Sequence, residues 1–318
     1  MNIHNFLDHY TAILATLLAG RRKFFDRSVE SRDFADLLAT TTLRLPDIGG
    51  EGSYEVAADT VAGTLDPAFY VAQWLGPEHP TLIYHHGNNE RPFDFGPLSK
   101  NTFKHVILKH RQTYPANLIA LRAPFHRSLR TYMEQMTELR NFAAMLAVSV
   151  KLAESLTQWS RAQGSPRVLL TGASLGGWVT NLHRTYYNTA DFYAPMMAGA
   201  ALDEVFTRSA YRRLTGRAAH ENPEVLHRVL NFEDAFAAVP ADNVTALLMR
   251  YDAFIVYERQ NVCYDPARVT VLDKGHTTGA LAFAALRAFL LAQIVPFQRV
   301  ADDDGKALSP TAIPLIGG

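Results

Sequence analysis

Short β-rich runs alternate with longer helical patterns along this chain, and that alternation admits few architectures. Strands joined through helices run parallel, so the pattern predicts an α/β fold: a mainly parallel central sheet flanked by helices. The predicted strands are Phe69 to Leu75, Thr81 to His85, Leu118 to Arg122, Arg167 to Thr171, Phe192 to Met197, Thr245 to Arg250 and Val269 to Leu272. A long helix is expected from about Thr131 to Arg161, with Tyr132, Met136, Leu139, Ala143, Leu146, Val150 and Ala153 on one apolar face. A last, alanine-rich helix is expected from Thr278 to about Ile294.

The chain has 318 residues, room for one large α/β domain with an insertion. Residues 61–199 and 241–296 read as the core, and 1–60 as an N-terminal helical extension. In that extension Phe6, Leu7, Tyr10, Ile13, Leu14, Leu17 and Leu18 recur at helical spacing, which predicts an amphipathic helix packed on the domain by that stripe. It is not an export signal, because no basic residue precedes it. Residues 200–240 are longer than a crossover needs and carry helical patterns at Asp203 to Leu214 and Pro223 to Phe236. They are a candidate helical lid, with Asn222 as N-cap and Pro223 at the first helical position. Residues 297–318, with Asp302, Asp303 and Asp304, read as a tail along the surface.

Charge narrows the function classes. Lysine plus arginine and aspartate plus glutamate number 31 each, a balance that argues against nucleic acid as a partner. The clusters Arg21-Arg22-Lys23 and Arg212-Arg213 read as solvated helix faces. No apolar stretch reaches the roughly 18 residues of a membrane span. Cys263 is the single cysteine, so no internal disulfide and no thiolate metal site can form. It is expected to be a buried structural thiol, and the chain to be a soluble, cytoplasmic protein. Oligomeric state is not legible.

Gly172-Ala173-Ser174-Leu175-Gly176 follows the strand Val168 to Thr171 directly, and Gly177 to Leu182 continues as a helix. A Gly-x-Ser-x-Gly run in this strand–turn–helix setting predicts a nucleophile elbow, with Gly172 and Gly176 small because the backbone crowds there. A serine hydroxyl needs a base to take its proton. His276, in the loop between the last strand and the final helix, is the expected base. The orienting carboxylate is expected to be Asp252, first acid after the strand Thr245 to Arg250, with Asp203 and Glu258 as competitors. Asp273 is too near His276 in sequence to reach it from the correct side.

An oxyanion hole completes such a site. Leu175 N–H is the first expected donor. The second should come from His85-His86-Gly87-Asn88-Asn89, where Gly87 lets the backbone turn. Asn88 N–H is assigned, with Asn89 as the alternative. His86, Gly87 and Asn89 are site-lining candidates, and His85 a packing residue. Adjacent histidines on a strand point to opposite faces, so they predict no shared metal. His126 and His183 are expected at the surface or behind the site.

With these residues in place, the chain from about Val61 to Ile294 resembles the α/β-hydrolase superfamily of serine hydrolases. The likeness is carried by His86-Gly87, Gly172-Ala173-Ser174-Leu175-Gly176-Gly177, Asp252 and Gly275-His276 in that order. Leu170 to Gly177, Asp252-Ala253-Phe254-Ile255 and Gly275-His276 also look, more loosely, like a poorly characterised abhydrolase-domain subfamily. The resemblance implies an α/β-hydrolase fold and cleavage of a carboxylic ester or related acyl bond in a small-molecule substrate, through an acyl-serine, with no cofactor. Two alternatives remain open: an acyltransferase or cofactor-free perhydrolase on the same site, and a non-catalytic binding protein.

Overall fold

The computed structural model describes residues 2–20, 22–99 and 101–298. Arg21 and the stretch 299–318, with Asp302, Asp303 and Asp304, lie outside the described residues. Eight strands form the central sheet: β1 (Gly52–Glu55), β2 (Ala68–Gln73), β3 (Thr81–His85), β4 (Asn117–Arg122), β5 (Val168–Ala173), β6 (Phe192–Met196), β7 (Ala246–Met249) and β8 (Val269–Leu272). Their order is β8-β7-β6-β5-β3-β4-β2-β1. The pairs from β4 through β3 to β8 are parallel, and β2 adds antiparallel to β4 and β1 to β2. The expected sheet is therefore present, extended by a strand.

Burial follows composition. β3, β4 and β5 are buried at every residue, as continuous apolar strands covered on both faces must be. β8, at the edge, is half-buried throughout. Four helices matter below: α1 (Ile3–Ala19), α2 (Leu139–Ala162), α3 (Leu175–Tyr186) and α4 (His276–Ala280). Helix α2 lays Leu139, Phe142, Leu146, Val150 and Ala153 into the core.

Several expectations are corrected. The helix expected from Thr131 is two, Leu129–Gln135 and α2, because residues 136–138 are drawn out of helical pairing. Met136 O and Thr137 O accept from the backbone N–H groups of Phe25 and Arg27, and Leu139 N–H donates to Ser28 O. The first sixty residues also hold strands: β1 joins the sheet, and Thr42–Leu43 and Ala58–Thr60 pair in a small antiparallel sheet with Gly63–Leu65. The last helix breaks into α4 and Phe283–Gln298. Between β6 and β7 the two expected helices are shorter pieces, among them Asp203–Thr207 and Pro223–Leu230. Pro223 does open its helix, but the Asn222 side chain donates back to Ala218 O and does not cap.

Helix α1 is present with the opposite face buried. Asp8 and Ala12 are its buried residues. Phe6, Tyr10, Ile13, Leu14, Leu17 and Leu18 are exposed, Leu17 and Leu18 at 73% and 80%. Among the described residues no helix is long and apolar enough to cross a membrane.

Candidate active site

Parallel strands deliver their C-terminal ends to one edge of a sheet, and ligand sites of open α/β sheets form there. At that edge β5 ends on Ala173 and α3 begins on Leu175. Ser174 between them holds φ 53° and ψ −111°, a conformation that costs a non-glycine residue on the order of 1–3 kcal/mol. Its N–H donates to Met196 O at 2.9 Å, and its carbonyl accepts from Trp178 N–H at 3.0 Å. The glycines permit the turn. A Cβ on Gly172 would lie 2.6 Å from His85 O, and one on Gly177 2.6 Å from Met196 O. A Cβ on Gly176 would collide with His85 O itself.

The loops after β7 and β8 bring two more side chains to this turn. His276 Nε2 lies 3.1 Å from Ser174 Oγ, and its Nδ1 lies 2.7 Å from Asp252 Oδ2. Both distances are within proton-transfer reach. Asp252 is 4% exposed. Its Oδ1 accepts from Phe254 N–H at 2.8 Å and Ile255 N–H at 2.7 Å, which aims Oδ2 at the imidazole. Burial draws the His276 pKa down, but the charge and hydrogen bond of Asp252, with the charge of Asp8, outweigh it and raise it above the usual histidine value. The competing acids are elsewhere. Asp203 is bonded to His227 and Asn231, Asp273 to Arg250 at the surface, and Glu258 is exposed.

Leu175 is the first residue of α3, so its N–H is among the donors that have no partner within the helix. Across from it lies the turn after β3. Asn88 is fastened by its side chain: Nδ2 donates to Tyr211 OH at 2.8 Å, and Oδ1 accepts from Tyr132 OH. Asn89 has φ 60° and is exposed. A cavity of about 230 Å³ opens between these groups, lined by Gly87, Asn88, Asn89, Ser174, Leu175 and His276. Apolar residues of the 200–240 region also line it, including Leu202, Val205 and Phe206.

His86 does not line that cavity. It is fully buried behind the turn, its Nδ1 on Gly87 O and its Nε2 accepting from Ala123 N–H at 3.0 Å. His85 is buried against it, the rings 4.7 Å apart. His126 and His183 are not at the surface either. His126 packs its ring on His86 and Tyr132, and His183 bridges Tyr193 OH and Glu154 inside the core. Cys263 is half-buried, and desolvation pushes its thiol up to about 12, far from a reactive thiolate. Among the described residues no cluster of His, Cys, Asp or Glu is arranged to hold a metal ion.

Four residues of the site escaped the sequence reading. Tyr132 and Tyr211 anchor Asn88, Glu90 lines the cavity and accepts from Thr102 N–H at 3.0 Å, and Asp8 accepts from His276 N–H at 2.7 Å. The one available signal is Asp8, the single carboxylate of the α1 segment, on the polar side of its amphipathic pattern.

No family model matches the chain, and no curated protein does. Solved structures do. The acylaminoacyl peptidase of Pyrococcus horikoshii superposes with TM-score 0.51 at 14% identity, over 80% of this chain and 42% of that one. An acylaminoacyl peptidase in complex with Z-Gly-Gly-Phe-chloromethyl ketone gives TM-score 0.52 at 14% identity, over 86% and 43%. An esterase of Pyrobaculum calidifontis aligns at TM-score 0.47 and 11% identity, over 95% and 94%. The chain thus spans under half the length of the two peptidases. Identities this low speak of architecture alone, and that architecture is the α/β-hydrolase fold.

Proposed function

We propose that this chain is a serine hydrolase that cleaves a carboxylic ester or related acyl bond of a small molecule through an acyl-serine. One observation carries the reading: at a strained elbow open to a cavity, Ser174 Oγ, His276 and Asp252 form an unbroken hydrogen-bonded chain with links of 3.1 and 2.7 Å. As Ser174 Oγ bonds to the acyl carbon, its proton passes to His276 Nε2, and Asp252 stabilises the imidazolium. The carbonyl oxygen becomes an oxyanion that accepts from Leu175 N–H and Asn88 N–H. The intermediate collapses, the bond to the leaving group breaks, and His276 returns the proton to that group. Water then attacks the acyl-serine, again giving His276 a proton, and Ser174 regains it as the acid departs.

The apolar lining supplied by Leu202, Val205 and Phe206 supports an acyl group with hydrocarbon character, and residues 200–240 act as its cover. The looser abhydrolase-domain likeness rests on these same motifs and names no substrate. The reaction needs no metal or cofactor.

A fluorophosphonate probe tests the proposal. The wild-type chain is expected to gain one adduct, located on Ser174 by peptide mass spectrometry, and Ser174→Ala to gain none. With p-nitrophenyl acetate, kcat of Ser174→Ala should fall by about a millionfold, to the background of binding and oxyanion stabilisation. A folded wild-type chain that stays unlabelled would overturn the reading.

A further inference from the structure

We propose that Asp8 is a positioning residue of the Ser174 site: its carboxylate, delivered by α1, locks the loops carrying His276 and Asp252 into one arrangement. The inference rests on the serine hydrolase reading and adds to it a part for the N-terminal helix.

Asp8 is 0% exposed. Its Oδ2 accepts from His276 N–H at 2.7 Å and from Ala253 N–H at 3.1 Å, and its Oδ1 from Thr277 N–H at 2.8 Å. Two of these amides belong to the loop of the base and one to the residue after Asp252. A single rigid carboxylate therefore spans both loops. A charge withdrawn from water is tolerated only when well bonded, and three backbone donors meet that need. The site is shaped to admit it. A Cβ on Gly275 would lie 2.7 Å from Asp8 Oδ2 and 2.8 Å from His4 O. One helical turn earlier, His4 Nδ1 meets Thr278 Oγ1 at 2.9 Å, and its ring stacks on Tyr251 with centroids 6.2 Å apart. The α1 face that carries His4 and Asp8 is thus fitted to these two loops.

The charge also bears on His276. Facing the imidazole are Asp252 from the β7 loop, Asp8 from α1 and Ser174 at the elbow, with Glu90 and Tyr211 on the cavity wall. Asp8 adds negative charge, which favours the imidazolium. Removing it makes the neutral base easier to reach at low pH while loosening its placement.

The test uses the full chain as Asp8→Asn, Asp8→Ala and Leu17→Ala, the last a control on the exposed face. Thermal melting reports folding, and p-nitrophenyl acetate hydrolysis is measured across pH. Asp8→Asn should lower kcat on the order of tenfold to a hundredfold, the loss expected of a misplaced base. KM should stay within about threefold. The acid limb of kcat/KM should move to lower pH, a shift that lost packing alone would not give. Leu17→Ala should match wild type. Folded Asp8→Asn protein with wild-type kcat and an unmoved limb would overturn the proposal. So would failure of both Asp8 variants to fold, which would assign the residue to stability. Fluorophosphonate labelling separates the two readings: an unlabelled wild type sinks the hydrolase, whereas labelling of Asp8→Asn at the wild-type rate sinks only the part given to Asp8.

Discussion

On the proposed mechanism only neutral His276 can take the Ser174 proton, yet its surroundings favour the charged ring. The acid limb of kcat/KM should therefore have its midpoint above the ordinary histidine value of about 6.5. Activity rises with pH through that midpoint. Asp252→Asn removes the largest raising influence, so the limb should move to lower pH, and kcat should fall on the order of 10⁴-fold. A pH series with p-nitrophenyl acetate checks both, and an unmoved limb would contradict the geometry. At this scale the sequence was informative wherever chemistry leaves a local signature. Ser174 was legible from its glycines, and Asp252 and His276 from their places after successive strands. Asp8, Tyr132 and Tyr211 were not, because each works through a partner far away in sequence. The Asn88–Tyr211 bond spans 123 positions, and no local pattern encodes such a meeting. His86 misled for the opposite reason: its neighbours belong to the turn, but its ring lies behind it, on Ala123.

Among the elements, the elbow between β5 and α3 is the most constrained. Gly176→Ala would set a methyl against His85 O, which belongs to the backbone of a central strand and cannot give way. The variant should lose on the order of 3 kcal/mol in urea unfolding and with it the alignment of Ser174. Wild-type stability there would refute the close packing. The strands of the sheet were readable from their apolar runs, but β1 was not: it is short, polar at Ser53 and Glu55, and half exposed at the sheet edge. The break at residues 136–138 was hidden because helical periodicity continues through it, and the competing backbone bonds come from residues 25–28. Helix α1 teaches a related lesson. Periodicity shows two unlike faces, and apolar burial alone would turn the leucine face to the core, since burying a leucine gains about 1.5–3 kcal/mol. The structure buries the face with Asp8 instead, where three backbone amides await it.

For the whole molecule, the buried histidines set a limit in acid. Desolvation lowers the pKa of His85 to about 4 and of His126 to about 3, and His86 is likewise well below its usual value. The unfolded chain takes up these protons near pH 6.5, so their contribution to stability is complete above that pH and is lost as pH falls towards 4. Tm should drop by more than about 5 °C between pH 7 and pH 5, and His126→Leu should make the drop shallower. Differential scanning calorimetry would show it, and a flat profile would mean these rings are hydrated. The layered architecture was legible because it follows from the alternation of elements; the partners that close the site were not, because they arise from the chain folding back on itself. Residues 8 and 276 meet across 268 positions, and contacts of such span form slowly. During translation the elbow leaves the ribosome about a hundred residues ahead of its base. On the proposed mechanism, a nascent chain that stalls in that interval carries Ser174 without its base and should be inert toward acyl substrates.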